Sequence, residues 1–257
     1  MRKRRIIPGV DKDLLIKDAA KLMPEPSRRM FLRSAATLGA LTFLTGCDII
    51  DGDTAENVLR KVSSFNDGAQ ALLFSKTKLA PTFPESAITK PFPYNGYYDE
   101  DDAPAIDGKV YKLEISGRVD NKKPWTLDEL YKLPQVSQIT RLVCVEGWSA
   151  IGSWQGVRLS DFLKRIGADT RAKYVWFKCA EGYTNTIDMQ TALHPQTQMT
   201  FKYHNRILPQ AYGYPMKIRI PTKLGFKNPK YVVAMEVTNT DKGGYWEDKG
   251  YNWFSGL

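Results

Sequence analysis

The sequence predicts an α+β fold: a single mixed, strand-rich domain with mostly antiparallel pairing. Two observations carry this. Short β-branched apolar runs recur between turn signals, and the helix signals are few and brief. A third narrows it, because no internal repeat is visible and no apolar span exceeds the one near the N-terminus. With 257 residues, 42% hydrophobic and 25% charged, the chain has the make-up of a folded protein with a sizeable core.

Residues 1–46 read as an export leader. Ser27-Arg28-Arg29-Met30-Phe31-Leu32-Arg33 precedes a short uncharged stretch, residues 34–45, too short to span a bilayer comfortably. The adjacent arginines resemble the twin-arginine export motif, which implies the twin-arginine export machinery as a partner and the periplasm as destination. Leu44-Thr45-Gly46-Cys47 resembles a lipobox that would lipidate and anchor Cys47; an ordinary signal leaves Cys47 without a role. The net charge of +9 invites a nucleic-acid reading, but +6 of it falls in the first 33 residues. A near-balanced remainder excludes nucleic acid as the partner.

Residues 47–91 form an N-terminal extension. Its polar start, to about residue 61, reads as a tether or frayed helix, with a short helix near residues 69–74. Prolines 81, 84, 91, 93 and 104 make residues 80–105 turn-rich. Within that stretch Asn95-Gly96 marks a tight turn, and its flanking tyrosines read as packing before ligand wall.

Residues 92–257 form the main domain. A strand is expected over residues 110–115. Thr126 and Glu129 then spell a capping box, with Trp125 and Leu130 in staple positions and Pro134 ending a short helix. Residues 139–145 form a strand that places Thr140, Leu142 and Cys144 on one face. Trp148 and Trp154 bracket a turn through Gly152 and Gly156, and Ser160 caps a helix over residues 161–166. Strands follow at residues 174–179 and 216–220, with a segment at 186–193 and a hairpin around Asn205 between them. The last long strand covers residues 231–237, before an aromatic tail opened by Gly243-Gly244-Tyr245-Trp246.

Two features ask for chemistry. One is Cys144 at a strand end, followed by Glu146 and Gly147. The other is Lys217, Arg219, Lys223, Lys227 and Lys230, five cations within 14 residues in a stretch pinned by Pro221 and Gly225, the make-up of a phosphate pocket. Two histidines and scattered cysteines offer no zinc-like cluster. Cys144 and Cys179 read either as a disulfide, which would suit a non-enzymatic binding lipoprotein, or as thiols of which at least one is held by something else.

Together, Cys144-Val145-Glu146-Gly147-Trp148-Ser149, His194-Pro195, the stretch from Gly213 to Lys230 and Gly243-Gly244-Tyr245-Trp246 resemble the sulfite oxidase superfamily. The nearer likeness is to its bacterial periplasmic branch of methionine sulfoxide reductase catalytic subunits. The resemblance implies that domain's fold, one Mo-molybdopterin per chain and Cys144 as the metal's protein ligand, with Glu146 ordering the catalytic loop. It carries cofactor contacts onto Asn95, Tyr98, Asp99, Cys179, Tyr212, Lys217, Asn228, Pro229 and Lys230. Weaker site candidates are His194, Arg219, Lys223 and Lys227.

Departures from the family pattern put the substrate in question: Lys217 stands for an arginine, Tyr212 for an asparagine, Cys179 near a threonine and Gly147 for an alanine. The implied activity is reduction of S-oxides such as methionine sulfoxide, or else sulfite oxidation or other S/N-oxide chemistry on the same cofactor. No Cys-x-x-Cys-His haem motif occurs, so a separate electron-transfer partner, a membrane haem protein by family precedent, is expected.

Overall fold

The computed structural model describes residues 52–257. The leader, the lipobox and Cys47 lie outside the described residues. The chain divides into two compact units, Met1–Val58 and Leu59–Leu257, and the second carries the features below.

Helix α1 (Gly52–Leu73) runs through both the stretch read as a tether or frayed helix and the short helix expected near residues 69–74. Its polar side is the docked one. The Asp67 carboxylate accepts from Phe254 N at 2.6 Å and Gln70 from Gly256 N at 3.0 Å. Leu59, Val62, Phe65, Leu72 and Leu73 instead face solvent. A search for a buried apolar stripe therefore finds only a fragment of this helix.

Two five-stranded sheets build the rest. In the first, the order is β2 (Trp125–Thr126), β1 (Lys112–Gly117), β10 (Val232–Thr238), β5 (Tyr174–Cys179) and β6 (Thr184–Asp188). In the second it is β3 (Val136–Val143), β4 (Ser149–Arg158), β7 (Gln198–Tyr203) and β8 (Arg206–Ile207), with β9 (Lys217–Arg219) also paired to β7. Pairing is antiparallel except between β1 and β10. Leu113, Phe162, Val175, Phe177, Phe201, Ile218 and Met235 belong to one buried cluster; Phe92, Leu142, Ala150, Trp154 and Leu208 form a smaller one beside β4. The α+β, strand-rich expectation holds.

Local signals with a complete chemical signature translate directly. Helix α2 (Leu127–Tyr131) opens on the full capping box: Glu129 N donates to Thr126 Oγ1 at 3.3 Å, and Thr126 N donates to Glu129 Oε2 at 2.9 Å. β5 has the expected bounds. His204 and Asn205 take positive φ between β7 and β8, as the hairpin requires.

Other expectations are corrected. Gly152 and Gly156 make no turn; both lie inside β4. A Cβ on Gly156 would come within 1.9 Å of Met199 O, and the β4–β7 register shifts at that point. These glycines mark close approach and a bulge. Helix α3 (Leu159–Arg165) starts before Ser160, and no side chain caps it. Residues 186–193 split into the end of β6 and helix α4 (Met189–Leu193), which Asp188 caps through Thr191 N at 2.8 Å.

A candidate cofactor cavity between two matched hairpin turns

β3 stops at Val143, so Cys144 stands in the β3–β4 turn. Cys144 N donates to Trp148 O at 2.9 Å and Gly147 N to Cys144 O at 3.2 Å, with Gly147 at φ +88°. The β5–β6 turn repeats this arrangement. Cys179 N donates to Tyr183 O at 2.9 Å and Gly182 N to Cys179 O at 3.2 Å, with Gly182 at φ +85°. The two turns share the pattern Cys-x-Glu-Gly, as Cys144-Val145-Glu146-Gly147 and Cys179-Ala180-Glu181-Gly182. This four-residue echo is the repeat the sequence reading missed. One turn comes from each sheet, and both line one cavity.

That cavity has a volume of about 450 Å³, within the range of small-molecule sites. Its wall comprises Asn95 to Asp99, Cys144 to Glu146, Glu181, Tyr183, Gly225, Phe226, Asn228 to Lys230 and Trp246. Seven predicted residues thus meet here together with the cysteine: Asn95, Tyr98, Asp99, Glu146, Asn228, Pro229 and Lys230. Glu181 and Tyr183 carry no expectation; Tyr97 is one of the tyrosines read as packing before ligand wall, and Phe226 and Trp246 fall in the family-like stretches without an assigned role. For Glu181 the signal was available, in the echo of the Cys144 turn.

At the Cys144 end, Asn95 Nδ2 donates to Sγ at 3.5 Å and Sγ lies 3.7 Å from Glu146 Oε2, which also accepts from Trp148 Nε1 at 2.8 Å. Burial raises the thiol's pKa, the Glu146 backbone N–H opposes the rise, the Glu146 carboxylate adds to it, and the amide of Asn95 opposes it. The protein alone therefore favours the thiol over the thiolate at Cys144. A metal cation would reverse this, since coordination deprotonates a thiol outright.

The cations divide. Lys230 is on the cavity wall, its Nζ bonded to Ala211 O at 3.0 Å and lying 4.4 Å from the Tyr94 ring centre. Burial lowers its pKa to about 8. Lys217 and Arg219 are buried off the wall, and each of Lys230 and Arg219 further depresses the Lys217 ammonium after burial itself. Lys217 Nζ has a cation–π contact, 5.1 Å from the Trp154 ring centre, and Arg219 Nε is buried without a hydrogen bond. A cluster of three cations under such strain suits an anionic group.

Lys223 and Lys227 serve other contacts: Lys223 Nζ donates to Phe254 O at 2.8 Å, and Lys227 Nζ to Thr186 O at 2.7 Å and to Glu247. They do not reach the cavity wall. The five-cation run is thus not one phosphate pocket.

Three further predicted residues sit elsewhere. Tyr212 donates to Phe92 O at 2.9 Å within the smaller aromatic cluster. Cys179 is buried beneath its turn, and burial pushes its thiol well up. His194 accepts from Gln196 N at Nδ1 (3.2 Å) and meets Lys78 O at Nε2 (3.1 Å), which fixes the neutral tautomer and a structural role. The Asn228 side chain lines the cavity but is spent on the chain: its Oδ1 accepts from Arg219 Nη1 and Ile220 N, both at 2.7 Å, and its Nδ2 donates to Leu224 O at 2.9 Å. Cys144 and Cys179 are both free thiols, so the disulfide of the non-enzymatic alternative is absent.

The donor set fits the cofactor that the sequence resemblance implies. Cys144 offers a soft ligand, Lys230 offers a positive charge on the wall, and the Tyr98 hydroxyl is buried without a well-formed hydrogen bond.

Comparison with known proteins agrees. The family described as "Oxidoreductase molybdopterin binding domain" matches residues 100–246. An Azospira oryzae protein with the provisional name protein-methionine-sulfoxide reductase subunit YedZ1 is 56% identical over 93% of this chain and 92% of its own length. The protein-methionine-sulfoxide reductase catalytic subunit MsrP of Xanthomonas campestris is 30% identical over 64% of this chain, and that of Burkholderia mallei 29% over 60%. The chain spans little more than half of these two, 59% and 54% of their lengths. The sulfane dehydrogenase SoxCD of Paracoccus pantotrophus shares the fold at TM-score 0.51 and 18% identity, over 54% of this chain and 40% of that one. The chain therefore belongs to the molybdopterin-binding oxidoreductase family, and is a molybdenum-dependent oxidoreductase of the sulfite-oxidase fold type.

Proposed function

We propose that this protein is an exported, periplasmic molybdoenzyme that reduces S-oxides such as methionine sulfoxide. It uses one molybdopterin per chain and electrons from a separate membrane haem protein. The observation that carries the reading is the placement of Cys144: a free thiol in the wall of a 450 Å³ cavity, with Asn95 and Glu146 at contact distance. The names of the relatives favour an S-oxide over sulfite, and the twin-arginine leader and Cys47 favour export with a lipid anchor.

When bound, molybdenum supplies a two-electron change between its +4 and +6 states, with which an oxygen atom can be removed from sulfur. The chain's residues set the surroundings of that change. Cys144 would be the protein ligand, with the Asn95 amide donating to its sulfur and damping its charge. Glu146 is fixed by the Trp148 indole N–H, so its carboxylate keeps one position beside the ligand. Lys230, with Lys217 and Arg219 behind it, would neutralise the cofactor's phosphate. Tyr97 and Trp246 bring rings to the same wall and narrow the access of water.

Metal analysis of protein from a cofactor-competent host tests the reading. About one molybdenum per chain is expected, lost in Cys144→Ser, with turnover of methionine sulfoxide under a reduced dye. Protein without molybdenum would overturn the cofactor assignment, and turnover of sulfite alone would overturn the reductive direction.

A further inference from the structure

Among the described residues, exposed large apolar side chains gather on α1 and just after it: Leu59, Val62, Phe65, Leu72, Leu73 and Leu79. Phe65, Leu72 and Leu73 are 76%, 86% and 84% exposed, more than chance scatter on a surface explains. Leu59, Val62, Phe65, Ala69 and Leu72 recur every three or four residues, which sets them in one stripe along the helix. The domain holds that stripe outward. Asp67 and Gln70, on the other side, are bonded to Phe254 N and Gly256 N, and Phe74 packs its ring 5.6 Å from Phe254 and 5.9 Å from His194.

Charge and chain position say what covers the stripe. Residues 59–78 carry four cations and one anion, and the anion is Asp67, spent on Phe254 N. Lys61, Lys76 and Lys78 are exposed. An apolar stripe with a cationic margin fits the headgroup boundary of an anionic lipid bilayer. Among the described residues no helix is long and apolar enough to cross a membrane, so α1 could lie on one but not span it. Cys47, the lipobox cysteine, stands twelve residues before Leu59. A chain of that length reaches at most ~40 Å, so an anchored Cys47 would keep α1 at the bilayer.

Resting on the lipid-anchor reading above, we propose that α1 lies on the bilayer surface with Leu59, Val62, Phe65, Leu72 and Leu73 turned into the lipid. The helix is then a second attachment beside the anchor, and two attachments hold far better than one. It also keeps the cavity domain at the membrane that carries the proposed electron donor.

Flotation with vesicles of phosphatidylethanolamine and phosphatidylglycerol tests this. The full chain is made in an export-competent bacterial host as wild type and as Cys47→Ser, each with and without Phe65→Glu plus Leu72→Glu. Cys47→Ser should still float, and the two glutamates should lower its vesicle affinity at least about tenfold. Both chains share whatever remains of the leader, so the difference reads α1 alone, and circular dichroism checks that each variant folds. Mass spectrometry of the Cys47 peptide reports the anchor separately. The expected loss with an unmodified Cys47 supports α1 and overturns the anchor. Equal flotation with and without the glutamates overturns the role of α1. Wild type that floats while Cys47→Ser does not also overturns it, and leaves the anchor standing. A dimer in light scattering that the glutamates break, without flotation of Cys47→Ser, assigns the stripe to a second copy and overturns the lipid assignment. Wild type that stays off the vesicles overturns both attachments.

Discussion

Glu181 is a carboxylate on the cavity wall with one oxygen buried without a hydrogen-bond partner. Burial raises its pKa to about 7, and a hydrogen bond from its own backbone N–H and, after it, the Lys230 charge compensate only in part. In the unfolded chain a glutamate titrates near ~4.3. The folded form thus binds the proton more tightly, and this contribution to stability is complete below pH ~4 and lost as pH rises through about 7. In cofactor-free protein, Glu181→Gln should therefore gain stability at pH 8, by about 1–3 kcal/mol after discounting for its partial exposure, and gain nothing at pH 4. Urea unfolding at the two pH values reads this out; an equal gain at both would show that packing, not charge, is responsible. At this scale the sequence was partly legible. Cys144, Asn95 and Lys230 carry motif signals and reach the cavity, whereas Lys223 and Lys227 carry equal charge and do not. Charge spacing along the chain says nothing about which tertiary partners, here Phe254 and Glu247, will claim an ammonium.

At the scale of elements, legibility follows whether the signal is local. The α2 capping box closes within four residues and was readable in full. Thr126→Ala removes the acceptor for Glu129 N and should cost about 1 kcal/mol in thermal or chemical unfolding. The two cavity turns are local as well, but their likeness lies in two places 35 residues apart. Gly147 and Gly182 both have a left-handed backbone, and neither has an atom within 4 Å of an added Cβ. Alanine at either should cost the strain of that conformation alone, about 1–2 kcal/mol and nearly equal at the two sites. Unequal costs would mean that the turns are not energetic equivalents. Gly152 and Gly156 show the opposite case. Their meaning depends on Trp154 and on Met199 of the neighbouring strand, so glycine alone suggests a turn where the chain continues as one bulged strand. Helix α1 is legible only in pieces for a related reason, since its partners Phe254 and Gly256 lie more than 180 residues away.

At the scale of the whole domain, the C-terminal tail is what closes the cavity, and one buried pair fastens it. Tyr245 N donates to Thr184 O at 3.0 Å and Thr186 Oγ1 to Gly243 O at 2.6 Å, which lays the tail along β6 and brings Trp246 to the cavity wall. Next to them Lys227 pairs with Glu247, the two side chains 1% and 5% exposed, while Asn185 Nδ2 also donates to Glu247 at 3.1 Å. Lys227 belongs to the short 3-10 turn Gly225–Lys227 whose first two residues line the cavity. The pair therefore joins two of its walls. Removing one partner strands the other charge, so Glu247→Leu should destabilise by about 3–5 kcal/mol and loosen the wall around Phe226 and Trp246. Replacing both, Lys227→Met with Glu247→Leu, removes the stranded charge and should recover most of that loss. Chemical unfolding of the two single variants and the double gives the coupling energy. Hydrogen exchange over residues 243–247 locates its effect. Costs that simply add would show that the pair is incidental, and that the backbone bonds to β6 hold the tail by themselves.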